Sequence, residues 1–224
     1  MGSWYNPRSM SGPSKEGLSV LVRSDAVAAV STELSGAVPN WEEIERRIRG
    51  GSALSLSVLK GRLLEIHLRI LLETMITQNP HFKLDPIPDG SETDKYRFVK
   101  KDGAGYLVVD KVTRRPLVEY DEIALIDGIP VVFEVKAKLG RERVAVSGER
   151  ISRIFDPIAE YFGGDEYGYF VLVSRDFLNG QYLARQSFEE MGGFLVPLFC
   201  RSQDLNEHTK RVKRLLVSGN INET

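Results

Sequence analysis

Charged residues interrupt two apolar runs in the range 117–138, where a buried pair of β-strands would carry apolar side chains. Asp127-Gly128 separates the two runs, and this dipeptide is the strongest short-range signal for a two-residue β-hairpin. Pairing outward from that turn places Asp121 opposite Glu134, on a rung without hydrogen bonds where Cα atoms lie roughly 4.5 Å apart. Two carboxylates at that separation repel each other unless a proton or a cation lies between them.

Lys136 lies two residues after Glu134 and therefore projects from the same face of its strand. A carboxylate pair that can hold a divalent cation, with an ammonium group beside it, is the outline of a hydrolytic site. The same pairing places Glu119 opposite Lys136, so a cross-strand salt bridge on a solvated sheet face is an alternative interpretation. A β-bulge that breaks the register is another.

The composition is that of an ordinary globular domain. The 224 residues are 42% apolar, which is enough for a full core, and the formal net charge of −1 means that any polyanion site must be local. The single cysteine, Cys200, excludes internal disulfides and thiolate zinc clusters, which fits a reducing compartment. The longest hydrophobic segment, 54–76, is interrupted by charged residues, and no signal peptide is visible. We therefore expect a cytoplasmic protein with no membrane partner.

Periodicity and turn signals predict the elements that would position these residues. Helices are expected over 17–35, 41–49, 56–77, 149–162, 181–193 and 205–217, with Asn40 as the N-cap of the second and Gly50-Gly51 as its stop. Hairpins are expected over 95–110, turning near Asp102-Gly103, and over 117–138, with further strands over 167–176 and 194–200. This order predicts an α/β protein with a mixed central β-sheet of about five strands flanked by helices. The range 131–137 should be the central strand, because it is apolar on both sides apart from Glu134 and Lys136.

The domain organisation follows from the same pattern. We expect a flexible N-terminus over residues 1–16, an N-terminal helical appendage over 17–51, a core over 52–202, and a basic C-terminal helix and tail over 203–224.

The residues of the second hairpin resemble a known family. Tyr120-Asp121, followed by Glu134-Val135-Lys136 at the end of an apolar strand, resembles the motif of the PD-(D/E)XK nuclease superfamily, with Tyr120 in place of the proline. The segment EYDEIALIDG…VVFEVKAK is similar to sequences of the archaeal nuclease-like and Holliday-junction-resolvase-like branches of that superfamily. The resemblance covers about residues 55–200 and implies a restriction-endonuclease-like core.

The resemblance also implies roles for particular residues. Asp121 and Glu134 would be oxygen ligands of Mg²⁺ or Mn²⁺, joined by the backbone carbonyl of Val135. Glu65, on the preceding helix, lies where many members carry an additional acidic ligand. Lys136 would position or deprotonate the attacking water, or neutralise charge that develops in the transition state.

Other charged residues carry two interpretations. Glu65 can instead be neutralised by Arg62 or Arg69, which lie at helical spacing from it. For His67, on the same helix, a structural role is favoured. The cations that follow the site can contact a phosphate backbone or belong to an ordinary solvated loop; they are Lys138, Arg141 and Arg143. For the basic run 210–214 a solvated helix face is favoured.

These features predict a metal-dependent nuclease, a Mg²⁺- or Mn²⁺-dependent phosphodiesterase whose partner is DNA. A two-fold homodimer would suit an enzyme that cuts both strands of a duplex. The alternative is a catalytically silent nuclease-fold protein that acts as a nucleic-acid-binding or assembly subunit. The sequence gives no support to a sugar or nucleotide enzyme, since it lacks a glycine-rich phosphate loop, a serine nucleophile elbow and a histidine cluster.

Overall fold

The structure, a computed structural model, describes residues 25–48, 54–101, 105–137, 148–164, 166–174, 188–189, 193–198 and 201–218. Its helices are α1 (Asp25–Gly36), α2 (Trp41–Arg47), α3 (Leu56–Gln78), α4 (Gly148–Phe162) and α5 (Ser202–Val217). Its strands are β1 (Phe82–Leu84), β2 (Tyr96–Lys100), β3 (Tyr106–Asp110), β4 (Pro116–Tyr120), β5 (Glu122–Ile126), β6 (Ile129–Lys136), β7 (Gly168–Ser174) and β8 (Phe194–Leu198). Within the described ranges, no helix is long and apolar enough to cross a membrane.

The strands form two sheets. The larger has the order β1-β5-β6-β7-β8, and the smaller is an antiparallel β2-β3-β4 meander. In the larger sheet β1, β5 and β6 pair antiparallel, whereas β6, β7 and β8 pair parallel. The predicted α/β fold with a mixed sheet of about five strands is therefore confirmed. The central position of β6 is confirmed as well, and it follows from the apolar residues on both faces of this strand.

The turn between β5 and β6 has the predicted geometry. Asp127 and Gly128 have φ values of 51° and 82°, as both central residues of a type I′ turn require. The predicted register holds from this turn to Glu122, which lies opposite Phe133. The hairpin is thus set by its two turn residues.

The predicted hairpin is wrong from Asp121 outward, because the β5–β6 pairs end at Glu122 and Phe133 and do not include the predicted pair of Asp121 with Glu134. The chain leaves the larger sheet at Asp121, and β4 pairs with β3 instead of continuing the ladder to β6. Glu119 therefore does not lie opposite Lys136, and it forms an ion pair with Lys101. Asp121 itself is a bend residue between β4 and β5, so it lies where the two sheets meet.

Both faces of the central strand are buried. One face, with Val131, Phe133 and Val135, packs in a cluster with residues of α1 and α3. The other face contributes Val132 to a cluster that contains α4 residues and the inner side of the smaller sheet. The smaller sheet and α4 are joined where the Tyr120 hydroxyl donates a hydrogen bond of 2.5 Å to the carbonyl of Ile154.

The remaining helices complete the layer around α3. The predicted N-cap is confirmed, because the Asn40 side chain accepts a hydrogen bond of 3.1 Å from the backbone N–H of Glu43. A third apolar cluster joins the helices α2, α3 and α5; its buried members are Ile44, Ile48, Leu59, Leu63, Val212 and Leu216. Since α1 packs in the same cluster as β6, the helices before residue 52 contact the core directly. The domain boundaries stay a prediction.

Several predicted elements agree with the structure, and others lie outside the residues it describes. The helices expected over 56–77, 149–162 and 205–217 correspond to α3, α4 and α5. The turn near Asp102-Gly103, the stop at Gly50-Gly51, residues 1–24 and most of the helix expected over 181–193 lie outside the described residues.

Gly105 lies against the backbone at the junction of the two sheets. Its φ is 78°, and a Cβ at this position would overlap the carbonyl oxygen of Tyr120 and lie 2.6 Å from that of Asp121. Only a residue without a side chain allows the start of β3 to approach this backbone so closely. The position of Asp121 therefore depends on a glycine of another strand.

Replacing Gly105 with Ala should destabilise the protein by about 3 kcal/mol, since it adds a backbone clash to an unfavourable φ. Gly90→Ala is the matched control, because Gly90 has a φ of 74° and no atom lies within 4 Å of the position that a Cβ would take there. We expect that control to cost about 1 kcal/mol. Urea unfolding of both variants measures the difference, and equal losses would contradict the close approach.

Candidate active site

One pocket collects the predicted site residues at the carboxyl end of β6. It has a volume of about 910 Å³ and lies between the first half of α3, strand β4 and helix α4. Every predicted site residue in the described ranges lines it: Glu65, Asp121, Glu134, Val135 and Lys136. The predicted phosphate-contacting residues Lys138, Arg141 and Arg143 lie outside the described residues. The pocket brings these groups together, and their roles stay predictions.

The Asp121 carboxyl is buried at the sheet junction. The residue is 8% exposed, and its Oδ2 accepts a hydrogen bond of 2.7 Å from the backbone N–H of Val135. Burial raises the pKa of Asp121 to about 6; Lys136 and the Val135 N–H oppose this rise, and Glu65 and Glu134 add to it. A raised pKa follows from the predicted pairing of Asp121 with Glu134, but the main cause is the loss of solvent and not the neighbouring carboxylate.

Glu134 and Lys136 border the pocket from the central strand. The hydroxyl of Tyr169, on the neighbouring strand β7, donates a hydrogen bond of 3.1 Å to Oε2 of Glu134. The other carboxylate oxygen, Oε1, lies 3.6 Å from the ammonium of Lys136. These two contacts orient Glu134 and hold a positive charge next to it. Asp121 and Glu134 border the same pocket, although they are not paired in the β5–β6 ladder.

Glu65 approaches the pocket from α3. The proposal that Arg69 neutralises it is wrong, because the Arg69 guanidinium is bonded to Glu73, Asp85 and Glu122 at 3.0, 2.7 and 3.2 Å. The charge of Glu65 acts on Asp121 and on Lys101. Whether Arg62 neutralises Glu65 stays a prediction.

His67 lies on the same helix but does not line the pocket. It is buried, and neither ring nitrogen has a hydrogen-bond partner among the described residues. Burial lowers the pKa of His67 to about 4, so the imidazole is neutral at pH 7. This environment fits the structural role that the sequence favours.

The side chains of the pocket offer the oxygen ligands that a hard divalent cation prefers. Glu65, Asp121 and Glu134 present carboxylates to one space, and a bound cation would offset the cost of burying the Asp121 charge. Among the described residues, however, no group of three or more His, Cys, Asp or Glu side chains is close enough to form a complete metal site. The carboxylates share a pocket and are not assembled around one point.

Sequence reasoning missed several charged neighbours of this site. Lys60 lies five residues before Glu65 on α3 and lines the same pocket, but this is not an i,i+3 or i,i+4 spacing, so the helical pattern does not pair the two. Arg153 of α4 also lines the pocket. Lys101 reaches its partner Glu119 across the smaller sheet, and no local pattern around residue 101 indicates that contact.

Comparisons with known proteins add little to this geometry. No protein-family model matches the chain, and no curated protein matches it. Among solved structures, protein VC1899 from Vibrio cholerae aligns with 13% identity and a TM-score of 0.36, over 70% of this chain and 34% of that one. The chain thus spans about a third of that protein's length, and at this TM-score the match supports no conclusion about function.

Asp121→Asn should stabilise the protein at pH 8 in the absence of metal. Because the pKa is raised from 3.8 to about 6, the carboxyl favours folding while protonated, and this contribution is lost as the pH rises through 6. Asparagine keeps an acceptor oxygen for the Val135 N–H and carries no charge. About two pKa units correspond to roughly 3 kcal/mol, so we expect a gain of about 1–3 kcal/mol at pH 8 and little change at pH 4.

The measurement is urea unfolding in EDTA at both pH values. Asp127→Asn is the matched control, because Asp127 is an exposed aspartate and Asn-Gly suits the same type I′ turn. A loss of stability at pH 8 in Asp121→Asn would contradict the buried charge.

Proposed function

We propose that this protein is a metal-dependent nuclease that hydrolyses phosphodiester bonds in DNA with Mg²⁺ or Mn²⁺. The observation that supports the proposal most is the shared pocket, which holds Asp121, Glu134 and Lys136 at the end of the central strand and Glu65 on the facing helix. A buried carboxyl with a raised pKa is typical of functional sites. The motif resemblance points to the same chemistry.

The contacts of the pocket residues indicate which of them would hold the cation. Asp121, Glu134 and the carbonyl of Val135 would hold the cation, and Glu65 would complete its ligands. When bound, the cation would polarise the scissile phosphate and lower the pKa of a water molecule. The Val135 N–H fixes one oxygen of Asp121, which leaves the other for the cation.

Lys136 would act on the reacting groups and not on the cation. Its ammonium lies 3.6 Å from Glu134, so it adds a fixed positive charge beside the position of the phosphate. A preorganised charge of this kind stabilises negative charge that develops in the transition state. The Tyr169 hydroxyl would hold the other oxygen of Glu134 in place while Lys136 contacts the first.

Binding of the DNA backbone would use local cations, because the net charge of the chain is only −1. Lys60 and Arg153 lie on the pocket wall and would contact phosphates near the scissile bond. We propose from the sequence that Lys138, Arg141 and Arg143 contact the DNA backbone as well. We also propose that the protein is cytoplasmic and that a two-fold dimer cuts both strands.

A cleavage assay tests the proposal. The purified protein should cut DNA with Mn²⁺ or Mg²⁺ and should not cut it in EDTA. Asp121→Asn and Glu134→Gln should abolish cleavage, because each removes a ligand charge. Lys136→Met should lower turnover roughly 10²–10³-fold and leave the Mn²⁺ affinity unchanged, because its charge acts in the transition state.

Two matched controls test whether the loss of a charge outside the pocket also changes the rate of cleavage. Glu92→Gln and Lys111→Met remove the same charges from an exposed ion pair outside the pocket, and both should cut at the wild-type rate. The proposal fails if the wild-type protein binds DNA equally with and without metal and never cuts duplex, branched or single-stranded forms. A non-catalytic nucleic-acid-binding or assembly subunit would then take its place.

A further inference from the structure

Lys101 lies beside the pocket in a segment that the sequence motif does not include. It follows β2, its backbone N–H donates a hydrogen bond of 3.1 Å to the carbonyl of Gly105, and its side chain is 28% exposed. Its ammonium forms an ion pair with Glu119, a residue of the pocket wall. The backbone of Lys101 is therefore held in place, and its ammonium is held by a carboxylate that is itself exposed.

The ammonium of Lys101 is held among carboxylates. Burial alone would lower its pKa, but the hydrogen bond to Glu119 and the charges of Glu65, Glu119 and Asp121 outweigh burial and raise the pKa. Two of these three carboxylates, Glu65 and Asp121, are the ones that we propose as metal ligands. Lys101 thus lies in the same negative field that would attract the cation.

The charges of the pocket show what Lys101 contributes. Among the described residues the wall carries four carboxylates, Glu65, Glu119, Asp121 and Glu134, and three cations, Lys60, Lys136 and Arg153. The formal sum is −1, and the ammonium of Lys101 brings it to zero. The carboxylates are therefore already balanced by fixed positive charges before any metal ion binds.

We infer that Lys101 is a tethered competitor of the divalent cation at this pocket, so that it lowers the affinity of the site for the metal. This inference rests on the proposed function, because it assumes that Glu65 and Asp121 face a metal ion. Two cations repel each other, and in a partly buried site this repulsion is only partly screened by solvent. Glu119, the anchor of Lys101, is 54% exposed, so the ion pair can turn outward when the divalent cation enters.

The test is a calorimetric titration of the protein with Mn²⁺ at low ionic strength and without nucleic acid, which measures the affinity of the site for the ion. Lys101→Met should bind Mn²⁺ roughly tenfold more tightly than the wild type, the change that a repulsion of about 1.4 kcal/mol produces. Lys101→Arg keeps the charge and should bind with the wild-type affinity. Lys111→Met is the matched control, because Lys111 is 35% exposed and pairs with one carboxylate, Glu92, outside the pocket.

A second readout uses stability and a second variant. In EDTA at pH 8, Lys101→Met and Lys101→Gln should unfold at lower urea concentration than the wild type, and saturating Mn²⁺ should restore more stability to them than to the wild type. Equal or weaker Mn²⁺ binding by both variants, with binding still lost in Asp121→Asn, would overturn the inference alone. An absence of Mn²⁺ binding in the wild type and in every Lys101 variant would overturn the metal site as well. Neither experiment measures cleavage, so a protein that fails to cut DNA can still show whether Lys101 lowers the affinity for Mn²⁺.

Discussion

The burial of the Asp121 carboxyl at the junction of two sheets is the constraint on which the site depends. β4 ends at Tyr120 and β5 begins at Glu122, so Asp121 is the single residue through which the chain passes between the sheets. Its side chain is held by the backbone N–H of Val135, from the central strand. The site can therefore form only when both sheets are in place, and the charged carboxyl at neutral pH is a cost that the rest of the fold must offset.

Neighbouring acidic residues at this junction have opposite environments. Glu122 is 0% exposed, and burial raises its pKa to about 7, although Arg69, bonded to it at 3.2 Å, opposes the rise. Arg69 also joins Asp85 and Glu73, so it ties α3 to β5 through a network of ion pairs. Asp121 instead receives a backbone N–H and opens into the pocket. Glu122, the first residue of β5, thus helps to hold the fold together, whereas Asp121, the bend residue before it, belongs to the candidate site.

The local part of the fold could be predicted from the sequence, and the long-range part could not. Asp127-Gly128 specifies its own turn, and the apolar residues on both sides of β6 identify the central strand. The range 117–126 reads as one continuous strand, because nothing in its composition indicates that the chain changes sheets at Asp121. The Lys101–Glu119 ion pair and the approach of Gly105 depend on the pairing of β3 with β2 on one side and with β4 on the other, so no spacing along the chain could indicate them.

Diffraction from crystals soaked with Mn²⁺ tests the central claim most directly, because anomalous scattering locates the ion without reference to activity. We expect a peak between the carboxylates of Asp121 and Glu134, within bonding distance of an oxygen of each, and we expect no such peak in crystals of Asp121→Asn. Well-ordered wild-type crystals with no peak in this pocket, or with peaks only at other carboxylates on the surface, would contradict the claim.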